Sequence, residues 1–232
     1  MSRRASSDAS PRARGDGSGE ARILRGQRVA IVGKTGSGKS VALRSLLGGY
    51  SRAVLVDPKG RASMDGWPVA YGSADFLRRW PAEPRLIVRL GPGEDRRGWL
   101  DRIAWHVYRH GETAFGVDEV VGVVSPYKPS AGFDAVQTQG RELGITAIVC
   151  TQRPKGVPPT ILSEADHLLV FALNRRDDRR AIEDTIGPYP PPPDGTYRYV
   201  YWAPALDKPI ECAPLPLRGD RGAPAPAEER TP

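Results

Sequence analysis

Short hydrophobic runs alternate with amphipathic stretches along the middle of the chain. Several of these runs end at polar residues, as in the segments VAIVG, AVLVD, RLIVRL, TAFGVDE, TAIVCTQ and HLLVFAL. Apolar runs that alternate with helical periodicity are typical of buried parallel strands connected by helices on both faces of a sheet. The pattern therefore predicts an α/β fold with a parallel sheet flanked by helices.

A different pattern follows the proline-rich run PYPPPP at positions 188–193. The next segment, TYRYVYWAP, places Tyr197, Tyr199 and Tyr201 at alternate positions, which indicates a strand with one aromatic face. We expect a small C-terminal β-hairpin at an edge of the core. The tyrosines could stack on nucleic-acid bases, but packing against the domain is the commoner use, so none is predicted as a site residue.

A glycine-rich loop joins an apolar run to an amphipathic run in the segment VAIVGKTGSGKSVALRSLL, positions 29–47. Its glycines permit a tight curve of backbone N–H groups that opens onto a helix N-terminus, which is an anion-binding arrangement. The spacing is that of a P-loop, and it assigns Lys39 to the β- and γ-phosphates of a bound nucleotide and the Ser40 hydroxyl to Mg²⁺. The predicted nucleotide-binding residues are Gly33, Lys34, Thr35, Gly36, Ser37, Gly38, Lys39, Ser40 and Val41.

Two further motifs would fit a GTPase. DPKG at positions 57–60 satisfies the pattern DxxG, and NRRD at positions 174–177 resembles a base-reading tetrad. However, no threonine lies between Ser40 and Asp57 to serve as the switch residue on magnesium, and Arg175 stands where the tetrad needs lysine. A GTPase switch is therefore kept only as an alternative, and so is a small-molecule kinase, for which the sequence shows no recognisable lid.

The segment AFGVDE offers an ATP-hydrolysing arrangement instead. It is an apolar stretch, broken by Gly116, that ends in Asp118 and Glu119. Asp118 can hold magnesium, and Glu119 can orient and deprotonate the attacking water. The chain between this segment and the P-loop has room for the additional strands of a RecA-like (ASCE) P-loop NTPase, which is the fold we predict.

Composition limits the rest of the chain. Its 232 residues are 39% hydrophobic, enough for one sizeable core, which we place at positions 23–213 between disordered tails at 1–22 and 214–232. The two cysteines show no pairing pattern, and neither an export signal nor a membrane-spanning run is evident, so we expect a cytoplasmic protein. The net charge of +7 permits, but does not establish, a polyanionic partner.

Four motifs together resemble the HerA/FtsK superfamily of DNA-pumping ATPases, over about positions 26–187. They are GKTGSGKS, VLVDPKG, VDE and GRELGITAIVCTQRPKGVPPTILSEADHLLVFAL. The resemblance implies that Gln152, in the sequence TQRP, senses the γ-phosphate. It also implies an arginine finger supplied across a subunit interface, for which Arg141 is the first candidate and Arg153 and Arg176 are the alternatives.

The resemblance further implies a function. We expect a bare motor domain without a winged-helix DNA reader, and in this the chain is most similar to the genome-packaging ATPases of membrane-containing icosahedral viruses. We therefore expect an ATP-driven translocase of double-stranded DNA that acts without regard to base sequence, in a homo-oligomeric ring taken as a hexamer. Its partners would be capsid-vertex or viral membrane proteins, in the host cytoplasm or on the virion. A plasmid-transfer or chromosome-associated DNA pump is the alternative.

Overall fold

The computed structural model describes residues 12–14, 20–125, 127 and 130–215, with side chains from residue 23 onward. The strands are β1 (Arg12–Arg14), β2 (Glu20–Arg22), β3 (Arg28–Val32), β4 (Ala53–Asp57), β5 (Val69–Tyr71), β6 (Arg85–Arg89), β7 (Ala114–Val117), β8 (Thr146–Thr151), β9 (His167–Val170), β10 (Tyr199–Trp202) and β11 (Ile210–Cys212). The α-helices are α1 (Lys39–Leu47), α2 (Gly72–Arg79), α3 (Arg96–His110), α4 (Ala131–Gln139), α5 (Thr160–Ser163) and α6 (Arg176–Ile186). Short 3₁₀ turns occupy Val120–Gly122, Gly140–Leu143 and Pro154–Gly156.

Nine of these strands form one sheet in the order β11-β10-β9-β3-β8-β7-β4-β6-β5. Pairing is parallel from β9 to β5, and β10 is antiparallel to both β9 and β11. Since parallel strands run in one direction, the segments that follow β3, β7 and β8 all emerge at the same edge. The predicted α/β fold with a C-terminal hairpin is confirmed, and the edge strand β5 is an addition that the sequence pattern did not predict.

Helices cover both faces of the sheet, as its continuous apolar strands require. Alternate residues of β3 point to opposite sides: Val29 and Ile31 join the core beneath α1, whereas Ala30 and Val32 join the core beneath the other helices. Tyr199 and Tyr201 pack into the α1 side, so the predicted aromatic face is confirmed for these two residues. Tyr197 precedes β10 and is exposed.

The predicted tails lie mostly outside the described residues. Within the N-terminal segment, β1 and β2 pair as an antiparallel two-stranded ladder, so those positions are not irregular. The disorder predicted for the remaining tail positions stays a prediction. Ile23 is buried in the α1-side core, and the domain boundary at this residue stays a prediction. No helix in the described part of the chain is both long enough and apolar enough to cross a membrane.

Gly116 interrupts the apolar run of β7 for a packing reason. A Cβ atom at this position would lie 2.6 Å from Leu47 Cδ1 and 3.1 Å from Leu43 Cδ1, so α1 rests directly on the strand backbone. The strand that carries Asp118 can approach the P-loop helix closely only because residue 116 has no side chain.

We expect Gly116→Val to lower the free energy of unfolding by about 1–3 kcal/mol, because the added carbons overpack the contact between β7 and α1. The measurement is urea unfolding. Gly122→Ala is the matched control: Gly122 is exposed and its nearest contact to an added Cβ is Arg96 Nη1 at 3.5 Å. Equal stabilities of the two variants would contradict this account of the glycine.

Candidate active site

The P-loop follows β3 and leads into α1, as the sequence predicts. Its curvature is fixed by hydrogen bonds to the carbonyl oxygen of Lys34, which accepts from Ser37 Oγ at 2.9 Å and from Lys39 Nζ at 2.7 Å. Gly38, at the N-terminus of α1, has φ of 106°, a conformation that strongly favours glycine. The lysine ammonium is therefore held over a curved run of backbone, where a polyphosphate would lie.

Phe171, just after β9, packs against the P-loop glycines. A Cβ atom on Gly33 would lie 2.6 Å from Phe171 Cβ, and one on Gly38 would lie 3.2 Å from Phe171 Cε1. The Lys34 N–H also donates to the carbonyl of Ala172 at 2.7 Å. The loop thus depends on β9 as well as on β3, and close approach to Phe171 requires glycine at position 33.

Ser40 and Asp118 meet at the start of α1. The Ser40 hydroxyl lies 3.0 Å from Asp118 Oδ1 and 3.2 Å from Oδ2, although the two residues are far apart in sequence. Asp118 is 9% exposed, and burial raises its pKa above the usual value. A cleft of about 170 Å³ opens beside this pair. The hydroxyl and carboxylate oxygens are the predicted metal-binding pair, and the structure brings them together.

Lys39 is buried close to the carboxylates of Asp118 and Glu119. Burial lowers the pKa of its ammonium group, while the charges of Glu119 and Asp118 oppose that shift. Desolvation disfavours an isolated charge, so both Lys39 and Asp118 would be stabilised in their charged forms by a ligand that brings phosphate and a cation together.

Glu119 is held in a strained backbone conformation, with φ of 80° and ψ of 83°. Its Oε1 accepts from the backbone N–H of Gln152 at 3.2 Å, and its Oε2 lies 3.4 Å from Lys59 Nζ. Gln152 Oε1 in turn accepts from the Thr35 hydroxyl at 2.7 Å. The predicted base, the predicted sensor and the tip of the P-loop therefore form one hydrogen-bonded network.

The structure gives the DPKG motif a different role from that in a GTPase. Asp57 is buried, and its Oδ2 accepts from the backbone N–H of Ala62 at 2.8 Å and lies 3.4 Å from Arg89 Nε. These bonds fix the turn after β4 and position Lys59 beside Glu119. Asn174, at the start of the NRRD sequence, is exposed. The DPKG motif therefore holds Lys59 beside the carboxylate of Glu119 at the end of β7.

The three arginine-finger candidates lie in different places. Arg141 precedes β8 and pairs with Asp166, which precedes β9, so it lies at the opposite edge of the sheet from the P-loop, about 20 Å away along the strands. Arg153 lies beside the site and bonds through Nε to buried Asp178 at 3.0 Å, and Arg176, which begins α6, is exposed. A finger acts on a neighbouring subunit, so its assignment stays a prediction.

Sequence reasoning missed three residues around the site. Lys59 pairs with Glu119, and its place after a strand of the parallel sheet was the signal that could have identified it. Asp194 forms an ion pair with Lys34, and Tyr197 lies against Gly38. The last two come from the segment before β10, where no local motif identifies them.

Fold and site together are those of a RecA-like P-loop ATPase, and they are similar to those of the HerA/FtsK superfamily. The chain is homologous to the DNA packaging ATPase P9 of Enterobacteria phage PRD1, with 29% identity over 161 residues that cover 68% of this chain and 69% of P9. No protein-family profile matches the chain. The superfamily resemblance noted in the sequence is confirmed.

Solved structures support the fold at low sequence identity. The genome packaging NTPase B204 of Sulfolobus turreted icosahedral virus 2, in complex with AMPPCP, aligns with a TM-score of 0.62 and 18% identity over 82% of this chain and 98% of B204. VirB4 of Thermoanaerobacter pseudethanolicus aligns with a TM-score of 0.67 and 11% identity over 93% of this chain and 98% of VirB4. These likenesses show the fold alone.

The burial of Asp118 leads to a prediction about stability. Since burial raises the native pKa of this carboxyl group, its ionised form destabilises the folded state as pH rises through that pKa. We expect Asp118→Asn to unfold at a higher urea concentration than the wild type at pH 7. The difference should fade toward pH 4, where the aspartate of the unfolded chain also begins to be protonated.

Asp178→Asn is the matched control, because Asp178 is also buried but is bonded to Arg153 Nε and to the Lys155 N–H. It should be destabilised by about 1–3 kcal/mol through loss of these charge-assisted bonds. If Asp118→Asn were destabilised at pH 7 by as much as this control, burial would not be the dominant influence on Asp118.

Proposed function

We propose that the chain is an ATP-driven translocase of double-stranded DNA that packages a viral genome into a capsid. The observation that carries this proposal is the network in which Glu119 bonds to the backbone of Gln152 and Gln152 bonds to Thr35 of the P-loop. This network joins a water-activating carboxylate to a residue placed to sense the γ-phosphate. Homology to a DNA packaging ATPase supports the choice of DNA as the substrate that is moved.

ATP and Mg²⁺ fit the residues present. The phosphates would be held by the backbone N–H groups of the loop from Gly33 to Ser40 and by the Lys39 ammonium group. Val41 follows in the first turn of α1. The Ser40 hydroxyl and Asp118 carboxylate are hard oxygen donors 3.0 Å apart, of the kind that Mg²⁺ prefers. The bound ion would neutralise charge on the β- and γ-phosphates.

The remaining residues then have defined roles. Glu119 accepts a proton from the attacking water, and its bonds to Gln152 and Lys59 fix where the carboxylate points. Lys39 balances the phosphate charge. Gln152 reports the γ-phosphate, because its side chain bonds to Thr35 at the tip of the loop that holds that group. Hydrolysis would therefore change the contacts at the ends of β7 and β8.

Translocation requires a ring of subunits, which we take as a hexamer. Arg141 is our first candidate for the finger that completes a neighbour's site, since 54% of its side chain is exposed despite the ion pair with Asp166. The net charge of +7 suits contact with DNA phosphates. Because the phosphates are the same at every base pair, such contacts would not depend on the DNA sequence. We place the ring in the host cytoplasm or on the virion. There it would bind a capsid-vertex protein or a viral membrane protein.

A plasmid-transfer or chromosome-associated DNA pump is the second candidate function. The observation that favours it is the fold similarity to VirB4 over 93% of this chain. The nucleotide site would be the same, so only the DNA substrate and the docking partner differ. A GTPase switch or small-molecule kinase is less well supported, because Asp57 is committed to the turn after β4.

We expect duplex DNA to stimulate the ATP turnover of the wild type at low salt, where phosphate contacts are strongest. Glu119→Gln should bind ATP normally but turn it over at least about a hundredfold more slowly, with or without DNA, because the general base is lost. Steady-state phosphate release and equilibrium nucleotide binding measure the two effects, with oligomer mass recorded in parallel.

Lys39→Ala is the comparison variant, because it should weaken nucleotide binding itself by removing the ammonium that faces the phosphates. Retained turnover in Glu119→Gln would contradict the assignment of the base. Near-normal ATP affinity in Lys39→Ala would contradict the P-loop assignment. A monomeric wild type with full activity and no response to DNA would favour a switch or kinase.

Mixed rings test the arginine finger. Arg141→Ala should bind ATP normally but hydrolyse it about a thousandfold more slowly, as expected for loss of a finger. Mixing it with Lys39→Ala should restore part of the activity, because an intact P-loop on one subunit can meet an intact arginine on the next. ATPase activity across mixing ratios is the measurement.

Failure of rescue while oligomers persist would exclude Arg141, and Arg153 and Arg176 would be tested in the same way. The control mixture is Glu119→Gln with Lys39→Ala. Both of these substitutions disable residues that act within one chain's own site, so that mixture should stay inactive.

A further inference from the structure

The segment between the proline-rich run and β10 lies against the P-loop. Asp194 forms an ion pair with Lys34, and the Tyr197 ring lies against Gly38, where an added Cβ would be 3.4 Å from Tyr197 Cδ1. Gly38 is the residue from which α1 begins. An aromatic side chain from a distant part of the sequence therefore stands beside the phosphate-binding loop.

Tyr197 is not placed there by burial. Its side chain is 55% exposed, whereas Tyr199 and Tyr201 of the following strand are buried in the core. Its backbone has φ of 54°, which is unfavourable for a non-glycine residue. The turn is held by the Thr196 hydroxyl, which donates to the carbonyl of Pro193 at 2.8 Å. The protein thus holds an exposed aromatic ring beside the phosphate-binding loop, in a backbone conformation that costs free energy.

The direction of the bound triphosphate follows from the catalytic residues. Glu119 and Gln152 follow β7 and β8, so the γ-phosphate must point toward that side of β3. The nucleoside must leave the loop on the other side, where β9 and β10 lie. Tyr197 lies two residues before the start of β10, and its ring lies at the start of α1 on this side.

We propose that Tyr197 forms the nucleoside subsite, with its ring stacked on the base of ATP, and that Asp194 positions the segment by pairing with Lys34. The inference rests on the proposed ATP-binding function and adds a base contact to it. Aromatic rings stack on any base, so this subsite supplies affinity for a nucleoside without discriminating strongly between bases. Tyr197 is a binding residue and takes no part in hydrolysis.

The test compares a ligand that has a base with one that lacks it. Equilibrium binding of AMPPCP and of inorganic tripolyphosphate, each with Mg²⁺, is measured by calorimetry for the wild type, Tyr197→Ala and Tyr197→Phe. We expect Tyr197→Ala to weaken AMPPCP binding by about five- to 150-fold, the usual range for loss of one stacking contact, and to leave tripolyphosphate binding unchanged. Tyr197→Phe keeps the ring and should match the wild type.

Tyr127→Ala is the matched control, because Tyr127 is 91% exposed in the loop after β7 and should change the binding of neither ligand. Urea unfolding of each variant shows whether the fold is retained. Tyr197→Asn is the second variant, since asparagine tolerates the left-handed conformation but has no ring, and it should lose affinity for AMPPCP as the alanine variant does.

Each outcome bears on one of the two proposals. Unchanged AMPPCP binding in Tyr197→Ala, with a wild type that binds AMPPCP, would overturn the nucleoside subsite alone. Equal losses for AMPPCP and tripolyphosphate would also overturn it, because the segment would then act on the phosphate loop. A wild type that binds neither ligand would overturn the proposed ATPase function together with this inference.

Discussion

Parallel pairing of β3 with β8 and of β8 with β7 is the constraint on which the site depends. It brings the P-loop, Gln152 and the acidic pair Asp118 and Glu119 to one edge of the sheet, although more than 70 residues separate Ser40 from Asp118. Close approach of α1 to β7 requires the missing side chain at Gly116. In this packing the Ser40 hydroxyl lies 3.0 Å from Asp118 Oδ1.

The site holds charged groups in places where burial disfavours their charge. Burial lowers the pKa of Lys39 and raises that of Asp118, so the charged form of each residue is disfavoured in the folded protein without a ligand. The arrangement would become favourable if phosphate and a cation supplied the missing charges, as the proposed function requires. Burial of these two groups would then lower the stability of the free protein in favour of ligand binding, as is common where charges are preorganised for a ligand.

Two residues with a strained backbone lie at the same edge of the sheet. Of the three described non-glycine residues with positive φ, Glu119 is the predicted base, Tyr197 lies beside the P-loop, and Glu112 precedes β7 at the opposite edge. The first two are held by neighbouring contacts: Glu119 by Gln152 and Lys59, and the segment of Tyr197 by the ion pair of Asp194 with Lys34. Such conformations persist where the surrounding structure fixes them, and they often mark binding sites.

The sequence by itself determined the parts of the site that are local motifs. The glycines and lysine of the P-loop and the pair Asp118 and Glu119 at a strand end were predicted from motifs that need only their immediate neighbours, whereas Gln152 in TQRP was predicted from the resemblance to the HerA/FtsK superfamily. The alternation of apolar runs likewise determined the α/β class. Tertiary structure decided which distant groups complete the site: Lys59 on Glu119, Asp194 on Lys34 and Tyr197 beside Gly38. These contacts join residues far apart in the chain, and strand order, which no local pattern specifies, sets which loops meet.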